Sequence, residues 1–582
     1  MARLSAEPFN PSLLIRYARM RFAPNRSDLI AALLLAGAAV LVAHGAQQMA
    51  QPLSALRIAP VRLDPARLPG YALLTTLRMF AALAASLVFT FIVAPLAAKS
   101  KKAGMVIVPA LDILQSVPVL GFLTFTVTFF MGLFPGRELG VECAAIFAIF
   151  TAQAWNMAFS VYQSMRTLPA DLDEAARQFG LSPWRRFWRL ELPFATPALV
   201  WNTMMSMSGA WFFIVASEAI TVGKTTLALP GIGSWLAMAI DRGDARAVGW
   251  AVATMGVVIV IYDQLLFRPI VAWADKFRFE QTASQDRPSS WFYDLLQHTR
   301  LLPRLMRPLV RALAAIPAPP RRRIGLPKIR DQRLVRGLDG LWLGLVVVLA
   351  ALGAWGVCRY VSETLTWSDA LAAFGLGALT LVRVLVLIAL ASVIWVPIGV
   401  WIGLRPIWAE RVQPVAQFLA AFPANVLFPV VVVAIVTLHG DPNIWLSPLM
   451  ILGTQWYILF NVIAGAASLP NDLREAAAIF KIRSWQWWRT VALPGVFPYY
   501  VTGALTASGG SWNASIVAEV ASWRHTRLEA AGLGAFIANA TADGNYPRVA
   551  LGIAVMSVFV IALNRSLWRP LYGYAERRLR LD

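Results

Sequence analysis

The sequence predicts an all-α integral membrane protein of about twelve transmembrane helices, arranged as two tandem repeats. Three observations predict it. Only 14% of the 582 residues are charged while 58% are hydrophobic, against about 25% charged in soluble chains. Apolar runs of roughly 17–25 residues, enough to cross a bilayer, recur along the whole chain. Polar landmarks then reappear at a fixed interval.

The apolar runs give the elements in order. The first set is 28–44, 72–98, 105–134, 141–161, 194–220 and 248–267; the second is 338–357, 374–404, 412–438, 444–467, 496–520 and 549–563. The first run ends in Ala43-His44-Gly45-Ala46, which looks like a signal-peptidase site. Its polar arm is too long for a leader and more spans follow, so it reads as a retained helix. Cys143 and Cys358 lie far apart, and His44, His298, His439 and His525 have no ligand spacing, so neither a disulfide framework nor a metal site is indicated.

The net charge of +21 reads through the positive-inside rule, not through nucleic-acid binding. Placing the N-terminus in the cytoplasm puts Arg16, Arg19, Arg21 and Arg26 inside, then Lys99, Lys101 and Lys102, then Arg185 and Arg186, then Arg577, Arg578 and Arg580. An even number of crossings returns the C-terminus to the same side. Arg57, Arg62 and Arg67 fall outside in this scheme, outweighed by the other loops.

Repetition fixes the organisation. Glu174 and Glu475 stand 301 residues apart, and the same shift carries Leu192-Pro193 onto Leu493-Pro494, Trp211 onto Trp512, Glu218 onto Glu519, Gly231 and Gly233 onto Gly532 and Gly534, and Arg268-Pro269 onto Arg569-Pro570. Upstream, Pro118 matches Pro423 at a shift of 305, which places a small indel between the halves. The reading divides the chain into an arm with the first helix and its loop (1–70), a first repeat domain (71–273), a basic, Pro-rich linker (274–337), a seventh helix and loop (338–370) and a second repeat domain (371–582). Within the linker, Trp291, Phe292, Arg300, Arg304, Arg307 and Arg311 form either an amphipathic helix on anionic headgroups or a solvated tether.

After the fourth crossing of each half comes the segment with the clearest pattern. It reads Glu174-Ala175-Ala176, three residues, Gly180, nine residues, Leu190, one residue, Leu192-Pro193. Its second copy keeps Glu475-Ala476-Ala477 and Leu493-Pro494 but has Lys481 in place of the glycine. Asp171 and Asp472, just after Pro169 and Pro470, read as Asx caps of short Ala-rich helices. Phe179 and Phe480, with Trp184, Trp188, Trp485, Trp487 and Trp488, load these loops with aromatic surface.

This segment resembles the EAA loop of binding-protein-dependent ABC importer permeases, the type I or MetI-like family. Pro118 in Leu114–Leu120 and Pro423 in Leu419–Ala424 look like the broken third helix of its nitrate, sulfonate and taurine branch. Ser208–Glu218 and Gly509–Glu519 resemble that branch's fifth-helix signature. The resemblance implies a fused, duplicated anion permease in a bacterial inner membrane, with both termini cytoplasmic. It implies that Glu174, Ala175, Ala176, Phe179, Gly180, Glu475, Ala476, Ala477, Phe480 and Lys481 form two coupling helices on which two copies of an ATPase dock. ATP and its magnesium would be bound by that partner, and a periplasmic or lipid-anchored receptor would deliver the substrate. No Walker sequence is present, so this chain is a non-catalytic subunit holding no cofactor itself. An ion-coupled secondary carrier is the alternative, and it calls for more acidic residues inside the spans.

Charge within lipid is costly. Arg78 and Arg383 either meet an anion, pair with Glu218 and Glu519 at an outer gate, or snorkel to headgroups. Met205 and Met207 are gate candidates by dewetting. Gln153, Gln455, Trp211, Trp512 and Asn513 complete the candidate pathway, while Gln153, Asn156, Gln455 and Asn461 on the fourth helix read equally as interhelical hydrogen bonds, and Asn202 on the fifth reads as packing.

Overall fold

The computed structural model describes residues 25–52, 61–114, 119–222, 225–277, 290–299, 308, 332–422, 424–523 and 526–578. Pro118, Pro423, the arginines at 300, 304, 307 and 311, and those at 16, 19 and 21 lie outside the described residues. The architecture is helical. Seven helices among the described residues are long and apolar enough to cross a membrane, or eight if the bent pair Pro442–Leu452 and Gln455–Ala467 is one span. The fifth helices of the halves, Leu192–Glu218 and Leu493–Ala518, are 27 and 26 residues long. At 1.5 Å per residue each is longer than a hydrocarbon core of about 30 Å.

The chain forms two compact units. One holds Met1–Gln47, Leu168–Val200 and Ile261–Lys328; the other holds Gln48–Thr167, Trp201–Val260 and Ile329–Asp582. The larger unit thus contains membrane helices from both halves of the repeat. Its core is Leu68–Lys99 against Leu139–Arg166 in the first half, and Trp367–Gly403, Gln455–Ala467 and Leu493–Ala518 in the second. Close approach there depends on small residues: a Cβ on Gly503 would lie 2.7 Å from the Tyr457 carbonyl oxygen, and one on Gly403 2.5 Å from that of Ile463.

In the smaller unit, Arg186 ties the loop together by bonding Asp173 at 2.8 Å and Glu191 at 2.9 Å. The linker helix is described over Trp291–Gln297 only, capped by the Ser290 hydroxyl on the Tyr293 N–H.

Both Ala-rich loops fold as helices, Ala170–Gln178 and Asn471–Ile479. The expected Asx caps are not formed. Pro169 and Pro470 occupy the N-cap positions without a side-chain bond, and their carbonyls accept the first helical N–H groups, from Asp173 and Arg474. Each helix closes identically. The N–H of Leu181 bonds the Ala176 carbonyl and that of Gly180 bonds Arg177; in the second copy Ile482 bonds Ala477 and Lys481 bonds Ala478. This is a Schellman motif, which needs a left-handed residue just past the helix. Gly180 supplies it at φ 66°, and Lys481 is held at φ 53°. A side chain there costs about 1 kcal/mol. Lys481→Gly is therefore expected to slow amide exchange at Ile482 roughly fivefold, as read by exchange mass spectrometry, with no change at Leu181.

Four wide turns are also duplicated: Phe187–Glu191, Asp263–Phe267, Trp488–Ala492 and Asn564–Trp568. Each closes on an N–H bonded five residues back, and a proline follows directly: Pro193, Pro269, Pro494 and Pro570. Proline lacks the N–H and collides with the carbonyl four residues earlier, so the helix widens by one residue to admit it.

Candidate functional site

On the loop helices the alanines and the larger side chains separate by face. Ala176 and Ala477 are buried, whereas Glu174 and Glu475 are exposed. Ala175 and Ala476 are half-buried, and Gly180 and Lys481 are exposed. Phe179 is 84% exposed and Phe480 76%, at the C-caps of their helices. Each ring is thus a large apolar group held in water beside a fixed helix end.

At the far end of the fifth helix each half carries a buried charge cluster. Thr75 and Arg78 project from Leu68–Lys99, and Glu218 ends Leu192–Glu218. The Arg78 Nη1 donates to Glu218 Oε1 at 2.8 Å and to the Pro230 carbonyl at 2.9 Å. Its Nε and Nη2 both reach Glu142, at 2.6 Å each. Glu218 in turn caps the short helix Ile232–Arg242: its Oε2 accepts the Gly233 N–H at 2.6 Å, and Thr75 Oγ1 donates to its Oε1 at 2.7 Å while accepting the Ile232 N–H at 3.0 Å. Taking such ions from water costs several kcal/mol each. Guanidinium donors and a helix N-terminus aimed at the carboxylate offset that cost.

The second half rebuilds the cluster. Thr380 and Arg383 reach Glu519 at 2.8 and 3.1 Å, and Glu519 accepts the Ala535 N–H at 3.1 Å. The repeated glycines follow from this geometry: a Cβ on Gly231 or Gly532 would stand inside the facing carboxylate. Between carboxylate and cap helix, the short antiparallel hairpins Ala219–Val222/Thr225–Ala228 and Val520–Trp523/Thr526–Glu529 return the chain. The copies differ at the third partner, where neutral Asn443 accepts from Arg383 at 3.3 Å in the role Glu142 plays for Arg78.

Within the larger unit, a cavity of about 480 Å³ opens between helices of both halves. Its polar lining includes Asn156, Ser160, Gln163 and Asn202 from the first half and Tyr457, Asn461, Thr502, Thr506, Asn564, Arg569 and Tyr572 from the second. No carboxylate is among these residues. Asn202 Nδ2 donates to Ser160 Oγ at 3.0 Å, and Trp201 meets Phe460 edge-on at 6.3 Å. A Cβ on Gly209 would come within 2.5 Å of the Tyr457 hydroxyl, so the halves touch there through a glycine.

Of the predicted pathway residues, the structure brings Met205 to this cavity. Met207 is buried, its sulfur accepting from Gln153 Nε2 at 3.2 Å. Trp211 and Trp512 are fully buried packing groups, and buried Asn513 Nδ2 donates to the Gly509 carbonyl at 3.3 Å. Gln455 accepts from Trp395 Nε1 at 2.9 Å. Arg78, Arg383, Glu218 and Glu519 belong to the charge clusters. Sequence reasoning missed Glu142, an acid inside a predicted span, as well as Tyr457 and Thr502, which pass as ordinary span residues. Arg569 registered only as part of a repeated Arg-Pro pair.

Comparison with known proteins fits this duplicated layout. The profile of the binding-protein-dependent transport system inner membrane component matches twice, over residues 86–268 and 395–580. A nitrate import permease, NrtB of Leptolyngbya laminosa, is 26% identical over 32% of this chain and 63% of its own length. A bicarbonate transport permease, CmpB of Synechocystis, is 23% identical over 31% and 61%. The glycine betaine/carnitine permease GbuB of Listeria monocytogenes is 32% identical over 29% and 54%. The chain thus spans less than two thirds of each of these relatives. With both profile matches together covering more than half of its length, and each lying on one copy of the repeat, the chain belongs to the binding-protein-dependent transport system inner membrane component family.

Proposed function

We infer that this chain is the membrane-spanning subunit of an ATP-driven importer that passes a small anion between its fused halves. One observation carries the reading: two copies of the Glu-Ala-Ala helix, each with its inner alanine buried and a phenylalanine held in water beside a Schellman turn. That is the surface a motor subunit needs to grip. Two ATPase copies would seat on Phe179 and Phe480, and their nucleotide-driven closure would rock the halves about the shared cavity.

The cavity supports an anion as cargo. Amide, hydroxyl and phenol groups with one guanidinium stabilise negative charge, and the lining supplies no carboxylate to repel it or to carry a coupling proton. The nitrate and bicarbonate systems named for two relatives agree with that chemistry. In this arrangement the termini and both loop helices face the cytoplasm, and a receptor outside delivers the anion at the ends bearing Glu218 and Glu519. Glu174→Lys and Glu475→Lys are each expected to weaken association with the partner ATPase about tenfold, measured by co-purification, with membrane insertion intact. Undiminished association in the double variant would sink the docking role.

A further inference from the structure

We propose that a second cavity, framed by Gln48 and Gln51, by Arg67 and Tyr71, and by Glu138, binds an ethanolamine-type phospholipid headgroup, with the ammonium on Glu138 and the phosphate on Arg67. This cavity measures about 390 Å³ and lies wholly within the larger unit. It stands apart from the anion cavity and does not depend on the transport reading.

Two opposite charges line it without meeting. The Glu138 side chain is 4% exposed and has no hydrogen-bond or ion-pair partner among the described residues. The exposed Arg67 guanidinium likewise makes no bond there. An ionised carboxylate held from water without a partner is costly, and a cation in the cavity would relieve that cost. Arg78 makes no bond to it: four of its five N–H donors go to both oxygens of Glu142, to Glu218 and to the Pro230 carbonyl. Glu138 is thus the surplus acid of a cluster with three carboxylates and one arginine. In the other half the corresponding partner is neutral Asn443, and no such surplus arises.

The position selects a lipid. Helix Arg26–Met49 ends at this cavity, and Leu68–Lys99 and Leu139–Arg166 both begin there. Ends of membrane spans lie at headgroup depth. A phosphate and an ammonium joined by two carbons offer one group to the guanidinium and one to the carboxylate, which form no ion pair with each other. The primary ammonium also supplies the N–H donors Glu138 lacks. A choline headgroup has none, and it favours an aromatic cage, whereas Tyr71 is the one aromatic ring in the lining.

Burial and the neighbouring Glu142 charge push the Glu138 carboxyl up to about 7, with Arg78 opposing. The Glu138 carboxyl is therefore part-protonated at neutral pH, and only its ionised form pairs with an ammonium. Headgroup binding should accordingly tighten as pH rises from 6 to 8.

The test is native mass spectrometry on delipidated full-length protein titrated with phosphatidylethanolamine, phosphatidylcholine and phosphatidylglycerol of matched chains. The expected result is at least tenfold preference for the ethanolamine lipid, lost in Glu138→Gln together with the pH dependence, and general headgroup weakening in Arg67→Ala. Equal retention of all three lipids by the wild-type chain, or an unchanged preference in Glu138→Gln, overturns the proposal. So does free O-phosphoethanolamine binding as tightly as the lipid, since the site would then serve a soluble zwitterion.

Discussion

Arg78→Met is expected to destabilise the protein by about 3–5 kcal/mol, the cost of leaving buried charges without their partner. Both Glu142 and Glu218 lose their cation at once, and neither has solvent to turn to. Arg383→Met should cost clearly less, because Arg383 is 12% exposed and faces one carboxylate and one amide. Thermal unfolding of the detergent-solubilised chain, followed by size-exclusion of the survivors, measures both. Adding Glu142→Gln to Arg78→Met should restore part of the loss, since it removes one of the two orphaned charges. Equal losses for the two arginine variants would contradict the difference seen between the clusters.

Phe179→Ala and Phe480→Ala should behave in the opposite way. Both rings lie in water in the isolated chain, so truncation leaves its stability within about 0.5 kcal/mol. Aromatic anchors at an interface are worth about 2 kcal/mol or more. The single variants should therefore lower affinity for the partner ATPase by tenfold or more, and the double variant should uncouple ATP hydrolysis from transport in proteoliposomes. Transport at wild-type rates by the double variant would remove these rings from the coupling surface.

Much of this architecture is legible in the residues themselves. The drift of the repeat interval from 305 to 301 residues reappears as three-dimensional register: Thr75 and Arg78 pair with partners at the same relative places as Thr380 and Arg383, while Glu218 and Glu519 keep the later interval. Gly231 and Gly532 are readable as repeats, but their purpose, making room for a carboxylate, appears only once the fold brings Glu218 and Glu519 against them. Glu142 carries no repeat signal, because its functional equivalent, Asn443, is uncharged. The cavity was the least legible part. Which side of an apolar helix faces a cavity is set by its neighbours, so Tyr457 and Thr502 could not be told from lipid-facing or packing residues. The Asx caps failed for a local reason: the carbonyls of Pro169 and Pro470 open the helices, leaving Asp171 and Asp472 inside the first turn.

Two helices on one chain gripped by two motor subunits should be visible in the assembled particle. A cryo-electron microscopy map of the chain purified with its ATPase tests this most directly. One ATPase is expected on Ala170–Gln178 and another on Asn471–Ile479, with Phe179 and Phe480 enclosed. A stable complex in which both helices remain bare to solvent would contradict it.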